Sequence, residues 1–332
     1  MNVLSLFDGM SCGRIALERL GIKVDNYYSS EIDKYAMKVS EANYPDIIQI
    51  GDVTKINYDE LPQIDLIMGG SPCQGFSFAG KQLAFDDPRS ALFFCFWRAV
   101  KHLKPKYFLL ENVRMKKEYL DVISEYMGVE PICINSALLS AQNRVRFYWT
   151  NIPGIEQPEQ RGIVLRDILE DGFDSEKDKS YCIDANYYKG ASVEQYKKKC
   201  RRQLVNKAIT IDKQKKQLTI KEATKKGYTT IEDGDCFDMT FPNSKTRRGR
   251  NMKDKSNCLT AANYDYMRYE HTDQEQEVYW RKLTPVECER LQTVPDNYTN
   301  HVSNTQRYKM LGNGWTIEVI AHILRNMDLN DE

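Results

Sequence analysis

A cysteine, Cys73, lies in a turn of small and stiff residues, G-S-P-C-Q-G at positions 70–75. The glycines let the chain turn sharply, and Pro72 fixes one backbone angle just before the cysteine. The turn follows an apolar, strand-like segment at residues 64–68, so the thiol is expected at the carboxyl end of a strand. A thiol held there can act as a nucleophile, although most cysteines are inert core residues.

Acidic side chains follow other strand-like segments in the first half of the chain. Glu111 follows the fifth segment, and its carboxyl group is expected beside Cys73, which would place a nucleophile and an acid on neighbouring strand ends. Glu31 and Asp52 follow two earlier segments, and the stretch F-D-G-M-S-C-G begins at Phe7. Ligands of open α/β sheets bind at the carboxyl ends of the strands. These residues predict a pocket for a nucleoside-like cofactor beside a catalytic pair.

The elements that must position these side chains alternate between strand-like and helix-like segments. This alternation predicts an α/β fold with a doubly wound, Rossmann-like sheet and a second, smaller domain. The pattern breaks at P-G-I-E-Q-P, residues 153–158, and periodicity returns near residue 279. We predict a cofactor-binding and catalytic domain over residues 1–152, a smaller domain over 153–275 and a return segment over 276–332 that completes the first domain.

Composition narrows the class of protein. The chain has 332 residues, of which 41% are hydrophobic and 28% are charged, a balance typical of soluble globular proteins. No apolar run approaches the roughly 20 residues of a membrane span, so no membrane association is expected. The nine cysteines have no C-x-x-C spacing, and the four histidines form no metal-binding pair. This pattern predicts free thiols in a reducing cytoplasm and no metal site.

Charge is distributed unevenly along the chain. Its formal net charge is zero, but residues 175–255 contain 21 basic and 11 acidic side chains, so the rest of the chain is acidic. A basic block of this kind suits a polyanion such as a nucleic acid. A solvated, lysine-rich surface is the alternative, and charge alone does not choose between them.

Nine segments resemble, in order, the motifs of the DNA cytosine C5-methyltransferases that use S-adenosylmethionine. The resemblance extends over nearly the whole chain outside the basic block. The turn with Cys73 is similar to the catalytic loop of that family, and E-N-V at 111–113 is similar to its acid motif. The nine segments are F-D-G at 7–9, S-E-I-D-K-Y-A at 30–36, G-D-V at 51–53, G-S-P-C-Q-G-F-S at 70–77, residues 89–93, E-N-V at 111–113, Q-N-R-V-R at 142–146, residues 281–292 and Y-K-M-L-G-N-G at 308–314.

The resemblance implies a covalent mechanism on DNA. Cys73 would attack C6 of a cytosine flipped out of the duplex, Glu111 would hydrogen-bond N3, and C5 would take the methyl group. The resemblance also implies that Arg144 and Arg146 hold the flipped nucleotide. Paired surface charge is the alternative, but their spacing of two places both side chains on one face of a strand. The implied partner is double-stranded DNA, which the protein would bind as a monomer. A cognate restriction endonuclease is left open.

The resemblance also assigns residues that bind the cofactor and DNA. Leu92 is expected against the adenine, and Glu31 at the ribose hydroxyls. Residues 153–275 occupy the place of the family's target-recognition domain, whose basic side chains would neutralise phosphates. The cofactor-binding residues implied for S-adenosylmethionine are Phe7, Asp8, Gly9, Met10, Gly13, Glu31, Ile32, Asp52, Val53, Ser71, Pro72, Leu92, Asn313 and Trp315. The DNA-binding residues are Gln74, Ser77, Arg247, Arg248 and Arg250.

Two motifs depart from the family pattern. Ser11 and Cys12 stand where the first motif commonly has two glycines, which puts the detail of the cofactor loop in question. Trp315 follows Gly314 in the tenth motif, where valine is common, and lies either near the cofactor or in the core.

Three other functions compete with DNA methylation. A tRNA cytosine methyltransferase of the same family is disfavoured by the long basic block and the intact P-C-Q, and digestion of the product with RNase or DNase separates the two. An inactive DNA-binding regulator is disfavoured because Cys73, Glu111, Arg144 and Arg146 are all present. An enzyme that acts on dCMP is disfavoured by the large basic domain.

Overall fold

Seven strands form the central sheet, in the order β3-β2-β1-β4-β5-β7-β6. Strands β1 to β5 pair in parallel, whereas β7 is antiparallel to both β5 and β6. The predicted α/β fold with a Rossmann-like sheet is confirmed. The strands are β1 (Asn2–Leu6), β2 (Asn26–Ser30), β3 (Ile48–Gln49), β4 (Leu66–Gly69), β5 (Tyr107–Val113), β6 (Ile132–Asn135) and β7 (Val145–Thr150).

The computed structural model describes residues 1–72, 91–170, 177–191, 196, 198–200, 202–209, 218–232, 235–238, 251–252, 266–268 and 277–328. Six predicted site residues lie outside these ranges, namely Cys73, Gln74, Ser77, Arg247, Arg248 and Arg250.

Helices cover both faces of the sheet. Alternate residues of a strand point to opposite faces, so Val3 joins one core cluster and Leu4 joins the other. The first cluster includes residues of the first and last helices, such as Ile15 and Ile320, and the second includes Phe96. The helices are α1 (Cys12–Arg19), α2 (Lys34–Asn43), α3 (Ala91–Leu103), α4 (Lys117–Met127), α5 (Pro285–Leu291), α6 (Asn304–Asn313) and α7 (Ile317–Leu324).

Strand β5 is longer than the sequence predicts, which matters for the acid at its end. The apolar pattern ends at Leu110, but the strand continues to Val113 because β7 returns beside it and supplies hydrogen-bond partners. Strand β4 already ends at Gly69, which pairs with Leu110. Glu111 therefore lies inside β5 and beyond the end of β4, at the edge where a crevice can form.

Residues of the return segment pack against the central sheet. Helix α5 begins with a capping box, in which the Thr284 side chain accepts from the Glu287 N–H and Glu287 accepts from the Thr284 N–H. In α7, Ile317 and Leu324 are fully buried in the same core cluster as Val3. Helix α7 thus packs on the same core as strand β1.

Short strands lie in the region between the two parts of the sheet domain. Strand β8 (Leu204–Ile209) pairs antiparallel with β14 (Glu277–Lys282), across the predicted boundary between 275 and 276. The division into domains stays a prediction. Among the described residues, no helix is long and apolar enough to cross a membrane. The other short strands are β9 (Leu218–Lys221), β10 (Tyr228–Ile231), β11 (Cys236–Asp238), β12 (Asn251–Met252) and β13 (Tyr266–Arg268).

Candidate active site

The catalytic acid predicted from the sequence is buried and held by two side chains from distant parts of the chain. Glu111 is 8% exposed. The Nε of Arg146 lies 2.9 Å from Glu111 Oε1, and the indole Nε1 of Trp315 donates a hydrogen bond to Glu111 Oε2 at 3.2 Å. The register of the sheet explains the first contact, because Glu111 pairs with Tyr148 and Arg146 is two residues away on the same face.

The contact between Arg146 and Glu111 is an ion pair without a well-aligned hydrogen bond. The buried Nε of Arg146 has no partner in hydrogen-bonding geometry, although the carboxylate oxygen is within ion-pair distance. Burial acts to lower the pKa of Arg146, but the Glu111 charge and further neighbours outweigh it and raise that pKa above its ordinary value. The guanidinium is therefore a permanent cation beside the acid.

Arg144 has a different environment from its neighbour two residues along. It is 3% exposed, and its guanidinium donates to three main-chain oxygens, those of Ile183, Gly312 and Gly314, at 2.8–3.1 Å. A fourth contact reaches the Cys182 sulfur at 3.4 Å. Burial lowers the pKa of Arg144. Arg144, just before strand β7, therefore contacts the end of α6, the residue after it and residues 182–183. Its predicted contact with a nucleotide stays a prediction.

The turn that carries Cys73 is anchored where the structure describes it. The Asn112 amide donates to the main-chain oxygen of Ser71 at 3.4 Å and to its hydroxyl at 3.3 Å. Both residues are buried. Gly70 is equally constrained, because a Cβ there would lie 2.9 Å from Glu111 Oε2. The first residues of the turn are thus fixed beside the acid, and the motif Glu111-Asn112 supplies both contacts.

The loop after β1 has an unusual backbone. Phe7, Gly9 and Ser11 all have positive φ angles, of 57°, 61° and 60°. Two of the three are not glycine, and such conformations persist only where the surroundings hold them. The Gly9 N–H donates to Glu31 Oε2 at 2.8 Å, so the acid at the end of β2 holds this loop.

Glu31 is positioned for a ligand as well as for the loop. Its Oε1 accepts the N–H groups of Ile32 and Asp33, both at 2.7 Å, which fixes the carboxylate without using all of its lone pairs. The Ile32 side chain next to it is 77% exposed. A fixed acceptor beside an exposed apolar side chain is a suitable surface for a ribose and its base.

Asp8 lies beneath this loop and is surrounded by hydroxyl groups. Its carboxylate accepts hydrogen bonds from Ser5 and Ser11 at 2.5 Å, from Tyr27 at 2.7 Å and from Ser29 at 2.9 Å. Burial raises the pKa of Asp8, and the four hydrogen bonds oppose that shift. The carboxylate is therefore occupied by the protein, and the Ser11 side chain that replaces a family glycine is one of its donors.

The remaining predicted cofactor residues differ in their environments. Asp52 caps the short helix Val53–Lys55 by accepting from the Thr54 N–H at 2.9 Å. Leu92 and Phe7 are half-buried against the second core cluster. The other predicted positions divide by exposure, with Met10, Gly13 and Val53 buried, Pro72 and Trp315 half-buried and Asn313 exposed at the end of α6.

Comparison with known proteins now decides the family. The profile of the family described as C-5 cytosine-specific DNA methylase matches residues 1–328. This chain belongs to that family. It is thereby a DNA cytosine-5 methyltransferase, as the order of motifs predicted.

Relatives and solved structures agree with this assignment. The methylase is 32% identical to the type II methyltransferase M1.ScrFI of Lactococcus lactis subsp. cremoris, over 98% of this chain and 77% of that protein. It is 29% identical to M.NlaX of Neisseria lactamica, over 98% and 96%. A structure titled as a putative DNA modification methyltransferase from an Escherichia coli prophage has the same fold, with a TM-score of 0.55 and 20% identity over 98% of both chains.

Several positions that hold the site together were not predicted from the methylase sequence. Ser5, Tyr27 and Ser29 bind Asp8, and the first and third face each other in the pairing of β1 with β2. These contacts could have been inferred from the sequence only through the two serines that lie on buried, neighbouring strands. Gln142 and Gln292 belong to quoted motifs, and they bond to each other at 3.2 Å in the core.

The raised pKa of Asp8 predicts a pH-dependent stability. Because its pKa in the folded protein exceeds the ordinary 3.8, the folded state holds more protons than the unfolded state above that pH. The free energy of unfolding of the wild type minus that of Asp8→Asn should therefore decrease as pH rises from about 4 to about 7. Urea unfolding of both proteins across this range measures the difference.

Asp52→Asn is the matched control for this measurement. Hydrogen bonds from Thr54 lower the pKa of Asp52, so its contribution to stability increases with pH only below about pH 4. Asp52 is already ionised above its ordinary 3.8, so from about pH 4 to 7 the wild-type-minus-variant difference should stay nearly constant for Asp52 and fall for Asp8. If the free-energy difference between wild type and Asp8→Asn is constant or rises with pH, burial does not raise the pKa of Asp8.

Proposed function

We propose that this methylase transfers a methyl group from S-adenosylmethionine to C5 of a cytosine flipped out of duplex DNA, through a covalent bond to Cys73. The observation that carries the proposal is the arrangement around Glu111. The acid is buried, is contacted on both oxygens, and lies beside the anchored start of the turn in which Cys73 is the third residue after Gly70. A nucleophile and an acid placed next to each other are what addition to a pyrimidine ring requires.

The residues at the ends of β1, β2 and β3 fit the proposed cofactor. The fixed Glu31 carboxylate retains acceptor capacity for ribose hydroxyls, and Ile32 offers an apolar surface for a base. At Gly9, nothing lies within 4 Å of an added Cβ, so a ligand can approach the backbone closely. Asp52 and Leu92 would complete the adenine side. When bound, S-adenosylmethionine supplies a methyl group that is electrophilic because it is attached to a sulfonium.

The chain's own residues account for the other steps. Cys73, as a thiolate, forms a bond to C6 of the cytosine while protonated Glu111 gives its proton to N3 and becomes a carboxylate. The electron pair of the C5–C6 double bond thereby becomes available at C5. After C5 is methylated, a base removes the proton from C5. The ring then expels the Cys73 sulfur, the C5–C6 double bond forms again, and the N3 proton returns to Glu111. Arg146 remains charged throughout and balances the carboxylate.

The burial of the acid supports the proposal of base flipping. Glu111 is 8% exposed, so its carboxyl group cannot reach a base that stays stacked within a duplex. Extrusion of the nucleotide costs a few kcal/mol, which the binding of the base in the pocket has to offset. Arg144 and Arg146 are proposed to hold the extruded nucleotide, and the second of them is the better placed because it faces Glu111 directly.

Recognition of DNA is proposed for the basic block. Its excess of lysine and arginine suits contact with phosphates, each of which would add close to one unit of salt dependence. Gln74, Ser77, Arg247, Arg248 and Arg250 are the proposed contacts. The type II names of two relatives favour a short target sequence and a restriction endonuclease as partner. The methylase is proposed to act as a monomer on DNA in the cytoplasm.

Methylation of genomic DNA tests the proposal. Purified protein is mixed with unmethylated DNA and S-adenosylmethionine, and 5-methylcytosine is mapped by bisulfite sequencing. We expect resistant cytosines in one short sequence context, and none when the cofactor is omitted. Folded, cofactor-binding protein that leaves every cytosine convertible would contradict the proposal, and methyl label that RNase removes from a nucleic-acid mixture would assign an RNA substrate instead.

A further inference from the structure

Trp315 approaches the catalytic acid from the return segment of the chain. Its indole Nε1 donates to Glu111 Oε2 at 3.2 Å, while Arg146 faces the other oxygen. The two groups reach the carboxylate from separate elements, strand β7 and the loop between α6 and α7. The carboxylate is therefore held on both sides before any base is present.

The main chain around Trp315 is fixed, so the indole has a defined position. The Gly314 oxygen accepts from Arg144 at 2.8 Å and from Gln292 at 3.2 Å. On the other side, the Thr316 hydroxyl donates to the Gln292 side-chain oxygen at 2.9 Å. The buried guanidinium of Arg144 thus acts on the acid indirectly, by holding the loop that carries the tryptophan.

The absence of a side chain at Gly70 makes room for this contact. A Cβ at Gly70 would lie 2.9 Å from Glu111 Oε2 and 3.1 Å from Trp315 Nε1. Both distances are shorter than an unstrained carbon makes with such atoms. The end of β4, the acid and the indole therefore meet at one point without space to spare.

We propose that Trp315 is a positioning residue for Glu111, which sets the orientation of the carboxyl group toward the base. The inference rests on the proposed function and adds a role that packing or cofactor contact alone would not give. A glutamate has three side-chain torsions, and the last of them is restricted by the ion pair at one oxygen and the indole hydrogen bond at the other. Each carboxylate oxygen keeps a second lone pair, which is available to the base.

An NMR experiment tests the contact without relying on activity. The chain has four tryptophans, hence four indole N–H signals, and loss of one signal in Trp315→Phe assigns it. We expect this signal to shift in Glu111→Gln, while the signal of Trp97, whose N–H donates to the Tyr126 oxygen at 3.0 Å, stays in place. A Trp315 signal that does not respond to Glu111→Gln would overturn the proposal, whether or not the protein methylates DNA.

Kinetics of Trp315→Phe test the consequence for the reaction. Loss of a hydrogen bond to a charged group should lower kcat about tenfold. The KM for S-adenosylmethionine should change less than kcat.

Trp97→Phe is the matched control, since it also loses an indole N–H but contacts α4 and not the acid. It should leave kcat unchanged. A rise in KM for the cofactor with unchanged kcat in Trp315→Phe would overturn the positioning role and leave cofactor contact as the function of Trp315. Absence of methyl transfer by the wild type, with the NMR response intact, would instead count against the proposed function.

Discussion

Cys73→Ala is expected to lose methyl transfer by at least about 10⁴-fold and to keep its affinity for DNA. The thiol is the only group in the proposed mechanism that forms a bond to the base, and alanine cannot replace it. Binding depends on other groups, chiefly the basic block, so it should persist. Incorporation of labelled methyl groups into DNA measures the first quantity, and a mobility-shift titration with the same duplex measures the second.

Cys133 supplies the control for this variant. It is a free, exposed cysteine on β6 that pairs with Phe147 of β7, whereas Glu111 pairs with Tyr148, so the two residues lie on opposite faces of the sheet. Cys133→Ala should therefore methylate DNA at the wild-type rate. Turnover by Cys73→Ala within tenfold of the wild type would refute covalent catalysis by this thiol, and equal losses in both variants would indicate general damage to the fold.

Glu111→Gln is expected to lower kcat by about 10²- to 10⁴-fold. Glutamine has the same shape and can still accept the indole N–H of Trp315, but it cannot give a proton to N3 of the base. Arg146 also loses its ion-pair partner, so some loss of stability is expected in addition. Single-turnover methyl transfer at saturating cofactor isolates the chemical step, and urea unfolding reports the stability separately.

The matched control is Glu118→Gln. Glu118 lies in the first turn of α4, with an exposed side chain paired to Lys116 at 3.4 Å. This change should affect neither kcat nor stability by a measurable amount. If Glu111→Gln were as active as Glu118→Gln, the acid would have no part in the chemistry, and its burial would be a matter of packing.

The sequence was sufficient for strands such as β4, which is a short apolar run. The strand-like segment predicted at residues 64–68 corresponds to this strand, at Leu66–Gly69. The predicted end of β5, at Leu110, was wrong because the last three residues of the strand, Glu111 to Val113, include polar side chains. They are strand only because β7 pairs with them, and pairing between distant segments leaves no local pattern.

The site residues that directly follow strands could be predicted from the sequence. Contacts made by residues of the return segment could not. The sequence indicates that Glu31 and Glu111 lie at one edge, but not that Trp315 donates to the acid from 204 residues away. The spacing of Arg144 and Arg146 predicted only that both lie on one face of a strand. Their separate environments depend on which main-chain oxygens surround each, which is a property of tertiary packing.

A trapped adduct tests the covalent mechanism most directly. DNA that carries 5-fluorocytosine in the target sequence is incubated with the methylase and S-adenosylmethionine, and the denatured product is digested and examined by mass spectrometry. Fluorine at C5 cannot leave as a proton does, so the Cys73–C6 bond should persist. We expect a methylated nucleotide attached to the peptide that contains Cys73. Efficient methylation of ordinary DNA, with no adduct from the fluorinated duplex that survives denaturation, would contradict it.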